Sequence, residues 1–220
     1  NWMNTSATSL NGWLTNVTRE SFVDFVRHFW NTVPGAGKLE WNWHMAYMCQ
    51  ELQEIAQRVF NNQSKEYDLI INICPGSSKS SLCSILFPTW VWTRMPEARF
   101  ITSSHTDLLV LDLANKARQV IYSNQYQKCF PNIQMRSDQD SKGYYANSLG
   151  GARLTCTVSG KSPLGFHAHF LICDDPLDPK RAVSNAELRT AADFMSDTLP
   201  SRKINKETAV TILVMQRLHR

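Results

Sequence analysis

The chain is short of the residues that loosen a backbone. Gly and Pro number 9 each in 220 residues, below their average share, which excludes a collagen-like repeat or a linker-rich, low-complexity chain. Charged residues make up 19% and apolar ones 43%, a balance that buries a core instead of staying disordered, and the length suits one main domain. No run approaches the roughly 18 apolar residues of a membrane span, and the longest, Ile85–Trp92, is interrupted by Pro88. No basic segment followed by an apolar one opens the chain, so nothing directs secretion. The 6 cysteines form no Cys-x-x-Cys pair and no matching histidine spacing, which gives little support to a zinc site and fits free thiols in a reducing compartment. Charge is also modest: 23 Lys and Arg against 19 Asp and Glu leave +4, scattered along the chain. That permits a nucleic-acid partner without requiring one.

What is present is a change of period along the chain. Up to about residue 35 the pattern is helical and amphipathic, with Phe22, Phe25, Val26 and Phe29 at helical spacing before Pro34 and Gly35. This reads as a helical lid or brace over 1–40, ahead of a main domain over 41–220. A second helix is predicted from Trp43 to Phe60, its apolar face made by Met45, Met48, Cys49, Leu52, Ile55 and Val59. From Tyr67 onward, nearly continuous apolar runs take over, at Tyr67–Cys74, Arg99–Ser103, Ala168–Cys173 and Ala209–Met215. Such runs suit strands buried on both faces. Helical stretches at Ser80–Thr93 and Thr106–Tyr122 separate them, and Arg153–Val158 adds a further strand. Strands alternating with helices imply an α/β domain around a mostly parallel sheet. Trp90 and Trp92 read as core, while Asp138 and Asp140 read as solvated loop acids.

Two segments carry chemistry. In the first, the apolar run at 69–73 leads into Cys74-Pro75-Gly76-Ser77-Ser78-Lys79-Ser80-Ser81 and then a helix. A phosphate-binding loop needs that order, because small residues let N–H groups close on phosphate. The helix start adds its dipole, Lys79 reaches the β- and γ-phosphates, and the Ser80 hydroxyl binds Mg²⁺. The strict G-x-x-x-x-G-K-[ST] pattern is not met, since Ile73 and Ser78 stand at its two glycines. On the loop alone, a Ser- and Gly-rich turn capping a helix is an equal reading. In the second segment, the apolar run 170–173 ends in Asp174-Asp175-Pro176, where a nucleotide hydrolase places one carboxylate to order its metal and one to activate water. The two together favour a P-loop ATPase of RecA-like type.

In this order the residues resemble the ATPase domain of the large terminase subunit of tailed bacteriophages. The resemblance runs through Phe22 to Trp30, Trp41-Asn42-Trp43-His44, the loop at 74–80, Phe87-Pro88-Thr89-Trp90-Val91-Trp92, the segment from Arg99 to Pro131, Gly150-Gly151 with Arg153, Asp174-Asp175-Pro176, and Gln216 to His219. It implies an ATP-driven motor that moves double-stranded DNA into a procapsid, working in the host-cell cytoplasm as a homo-oligomeric ring with a portal protein and a terminase small subunit. By the same resemblance, Asp174 and Ser80 serve the Mg²⁺, Asp175 orients the attacking water, Gln216 belongs to the motif coupling hydrolysis to movement, and His44 lies on the nucleotide side. Pro75, Gly76, Ser77, Ser78, Lys79 and Ser81 would hold the nucleotide. An arginine finger from a neighbouring subunit is expected, with Arg153 and Arg202 as candidates. The family's nuclease domain is not in this chain, which reads as part of a longer protein. Three departures stand out: Gly76 and Ser78 occupy places where many members have Arg and Gly, Asp175 stands for a Glu, and Gly165-Phe166-His167-Ala168 lacks an Arg. Two other readings stay open: a helicase-type DNA-dependent ATPase, and an interaction module that no longer hydrolyses ATP.

Overall fold

The computed structural model describes residues 2–160, 163, 165–180 and 184–217. Two consecutive helices open it, α1 (Trp2–Glu20) and α2 (Phe22–Phe29). Ser21 starts α2 by accepting the Asp24 N–H on its hydroxyl, and Phe22, Phe25, Val26 and Phe29 are its buried face. These rings pack into the main core. Phe22 packs 5.1 Å from Trp90, and Phe25 lies 6.3 Å from Tyr126, so α2 shares one core with the rest of the chain. Helix α3 (Trp43–Phe60) begins where Asn42 caps the Trp43 N–H, and buries the face expected of it, Met45, Met48, Cys49, Leu52, Ile55 and Val59.

Among the described residues, seven strands form one mixed sheet flanked by helices: β1 (Leu69–Asn72), β2 (Arg99–Ser104), β3 (Met135–Asp140), β4 (Tyr144–Asn147), β5 (Ala152–Thr157), β6 (Phe170–Asp174) and β7 (Val210–Met215), in the order β1-β7-β6-β2-β5-β4-β3. The first five in that order run parallel, and β4 and β3 continue antiparallel. Every residue of β6 is buried. Phe170 and Ile172 face the layer of α2, α3, α4 (Phe87–Arg94) and α5 (Asp107–Tyr122), while Leu171 and Cys173 face Phe194 and Leu199 on the other side. A strand covered on both faces cannot alternate polar and apolar residues. The continuous apolar runs are this burial.

The helix expected over Ser80–Thr93 forms with a widened first part, a π turn at Ser81–Leu86, before α4. There Phe87 N–H donates to Leu82 O, five residues back. The next residue, Pro88, has no N–H to give, so the looser register coincides with the bond an α-helix would lose anyway.

Some elements were not expected. The short helices α6 (Asn124–Cys129) and α7 (Asn185–Asp193) flank the sheet, Tyr144–Asn147 adds the strand β4, and Met135–Asp140 is an edge strand, β3, in place of a loop. Asp138 and Asp140 are therefore strand acids, paired at 2.5 Å with Arg136 and Arg118. The strand's polar residues are mostly exposed, which leaves no apolar alternation to read.

Gly151 shows why the double glycine before β5 matters. A Cβ there would lie 2.1 Å from Pro96 O and 2.6 Å from the Asn147 amide nitrogen, and that amide already donates to Pro96 O at 2.7 Å. Gly151→Ala is expected to destabilise the fold by about 2–4 kcal/mol, since backbone and a satisfied amide must shift together. A urea unfolding curve with unchanged slope and lowered midpoint checks this.

Candidate functional site

Parallel strands bring their carboxyl ends to one edge of a sheet, the place where α/β folds bind ligands. Here β7 lies between β1 and β6, with Asn72 opposite Met215 and Asp174 opposite Val214. The loop after β1 and the two acids ending β6 therefore emerge at nearly the same height, one strand apart. Ile73 N–H still donates to Met215 O at 3.1 Å before the chain turns away. Ser77 then closes the turn through its hydroxyl to Cys74 O at 2.7 Å. Gly76 and Ser78 adopt left-handed backbone, with φ of 77° and 63°. For a residue with a side chain this costs roughly 1–2 kcal/mol. Ser78 thus takes the conformation that the missing glycine would supply freely, and its carbonyl accepts the Leu82 N–H at 3.0 Å to open the helix.

The side chains converge in pairs. Lys79 is 7% exposed, and its Nζ lies 3.3 Å from Asp175 Oδ2. Ser80 donates its hydroxyl to Asp174 Oδ1 at 3.1 Å, and Ser84 donates to Oδ2 at 2.7 Å. Asp174 is 2% exposed. Burial pushes its carboxyl above the usual carboxylate range, the Asp175 charge adds in that direction, and the Ser84 and Ser80 hydroxyls with the Lys79 ammonium oppose it. Asp175 is the wetter acid, its side chain 22% exposed. Its backbone is left-handed, φ 47°, and its carbonyl accepts from the His105 N–H at 3.2 Å and lies 2.8 Å from His105 Nδ1.

No protein-family model and no curated protein matches this sequence. Among solved structures, the chain is similar to the large terminase of bacteriophage HK97, with a TM-score of 0.53 and 13% identity over 83% of this chain and 34% of that one. The fold is terminase-like. This chain spans about a third of that protein's length.

The remaining residues singled out from sequence fall in three places. Gln216 leaves β7 between the loop and the acids and lines, with Asn72, Ile73, Cys74 and Pro75, a cleft of about 390 Å³. His44, half-buried on the first turn of α3, lines a second cleft of about 370 Å³ with Trp41, Gly76, Ser77 and Ser78. Ser81 begins the π turn. The arginines lie elsewhere. Arg153 is a correction: it is 1% exposed in the middle of the sheet, donating Nε–H to the Thr102 hydroxyl at 3.1 Å and Nη1–H to the Tyr145 hydroxyl at 3.3 Å. A guanidinium enclosed by its own sheet cannot reach a neighbouring subunit. Arg202 is half-buried in the Pro200–Arg202 turn, and its carbonyl accepts the Ala168 N–H at 2.9 Å, at the opposite edge of the sheet from the acids.

Two residues of this cluster escape sequence reading. Ser84 carried a signal, lying one helical turn after Ser80 on the same face. His105 carried none, because only the pairing of β2 with β6, Ser103 opposite Cys173, brings the end of β2 beside Asp175. Among the described residues no group of three His, Cys, Asp or Glu side chains could hold a metal, and no helix is long and apolar enough to cross a membrane.

Proposed function

We propose that this chain is the ATP-hydrolysing motor region of a viral DNA-packaging terminase large subunit. The observation that carries the reading is the meeting of Lys79, Ser80, Asp174 and Asp175, from segments about 95 residues apart, at the carboxyl ends of β1 and β6 with β7 between them. The strand order suits a P-loop ATPase of RecA-like type, and the likeness to the HK97 large terminase supports the packaging role.

The residues fit a nucleotide with Mg²⁺. Ser80 and Asp174 offer hard oxygen atoms already 3.1 Å apart, and no cluster of soft or nitrogen ligands competes among the described residues. Gly76 leaves open space, with nothing within 4 Å of the position a Cβ would take. Ser80 and Asp174 would hold the Mg²⁺ of the nucleotide, which would supply charge neutralisation for the phosphates. In that setting Lys79 leaves Asp175 for the phosphates, and the small loop residues present N–H groups to them. Ser80 and Ser84 hold the Asp174 carboxylate in place. Asp175, released from the ammonium and partly open to solvent, orients the attacking water and draws its proton. Gln216 stands between loop and acids, placed to report a change at one to the other.

In this reading, the partners are double-stranded DNA, a portal protein and a terminase small subunit in the host-cell cytoplasm, with the active chains in a ring. A ring completed by a neighbour's arginine turns over steeply with concentration, because each site then draws a cation from a second chain. ATP hydrolysis measured against protein concentration, with and without duplex DNA, is expected to rise faster than linearly and to be stimulated by DNA. Strand-separating activity would instead favour a helicase, and absence of ATP binding would remove the reading.

A further inference from the structure

We infer that His105 is a positioning residue that fixes Asp175 for water activation, an inference that rests on the catalytic reading above. Asp175 holds a left-handed backbone, φ 47°, directly before Pro176, whose ring already restricts the residue ahead of it. A residue with a side chain keeps such a conformation only where its surroundings over-determine it. Here both sides of the residue are held. Its N–H donates to Val214 O at 2.8 Å on β7. Its carbonyl accepts the His105 N–H at 3.2 Å and the Ser104 hydroxyl at 3.4 Å, and lies 2.8 Å from His105 Nδ1, all at the end of β2.

A carbonyl oxygen only accepts, so Nδ1 must carry the proton, and in the neutral ring Nε2 is left as an acceptor. The imidazole touches the main chain of Asp175 and none of its carboxylate oxygens. Its effect is therefore on direction: with the carbonyl pinned between β2 and β7, the carboxylate stays aimed at Lys79, 3.3 Å away. Without the Nδ1 bond, the shortest of the three contacts on that carbonyl is gone, and the Asp175-Pro176 segment is held less firmly against relaxing toward ordinary backbone, which turns the carboxylate off the loop. Lys79 and Ser80, which hold the phosphates in this reading, sit on another segment and do not depend on the bond.

The test compares wild type with His105→Ala, His105→Asn and His105→Gln. Turnover is measured with Mg-ATP, affinity by calorimetric titration of a non-hydrolysable ATP analogue, and the ring tautomer by nitrogen-15 NMR at about pH 8, above the ordinary histidine range. Asn carries an amide N–H near the place of Nδ1, whereas Gln carries it farther out. His105→Ala is expected to lower kcat roughly tenfold or more with affinity within about twofold, Asn to restore most of the loss, Gln to restore little, and the wild-type ring to be protonated on Nδ1. Wild-type kcat in the Ala variant, parallel loss of affinity and kcat, or equal rescue by Gln and Asn each overturns the inference. If the wild type binds ATP but never turns it over, the catalytic reading fails on its own. The tautomer then decides the contact: Nδ1–H supports the clamp and Nε2–H overturns it.

Discussion

Lys79→Ala is expected to abolish ATP turnover, a loss on the order of a thousandfold or more, in a protein that still folds. The ammonium lies where the loop meets the two acids, buried to 7% exposure and 3.3 Å from Asp175 Oδ2. Removing it takes away the charge expected to meet the β- and γ-phosphates in a site with little water to replace it. The fold is expected to survive because Asp175 keeps a route to solvent, its side chain being 22% exposed. The loss of the pair then costs well below the ~3–5 kcal/mol of breaking a fully buried one. Asp174 also keeps both serine hydroxyls. Thermal unfolding and turnover measured on the same preparation decide it, and normal turnover in the folded variant would remove the phosphate-loop assignment.

How far the sequence could be read follows from what each segment is packed against. Helix α3 was legible to its last residue, because one face meets the core and the other meets water, and Asn42 marks its start. The parallel strands were legible as continuous apolar runs, since helices cover both faces of the sheet. The β3–β4 hairpin was not: β3 lies at the sheet's edge with charged side chains exposed, β4 is a mostly buried run of only four residues, and pairing rather than composition makes both of them strands. At the site, the meeting of Lys79 and Ser80 with Asp174 and Asp175 was legible because each pair follows an apolar run, and the parallel order of the strands brings the ends of those runs together. Ser78 obscured the loop, since a left-handed turn that glycine usually announces is formed here by a serine. Arg153 misled in another way. It opens a run read as a strand, yet only the register of β5 on β2, Arg153 beside Phe100, shows that its side chain is carried into the sheet.

Asp175→Asn separates binding from chemistry, and so tests the catalytic half of the proposal apart from the loop. The amide has the shape of the carboxylate, so the left-handed backbone and its bonds to Val214 and His105 have no steric reason to change. What disappears is one negative charge beside Lys79, on a carboxylate that is partly open to water. Nucleotide affinity is expected to stay level or to rise, because the ammonium no longer has to leave a carboxylate and the polyphosphate meets one less like charge. Turnover is expected to fall by about 10²–10⁴, the range attributed to a positioned base. Single-turnover hydrolysis paired with an equilibrium titration reads the two quantities independently. Equal losses in both would mean that Asp175 serves only to hold the loop together. A large loss in the chemical step at undiminished affinity places it at the attacking water, and leaves the Asp174 carboxylate, buried and held by Ser80 and Ser84, as the acid that orders the metal side.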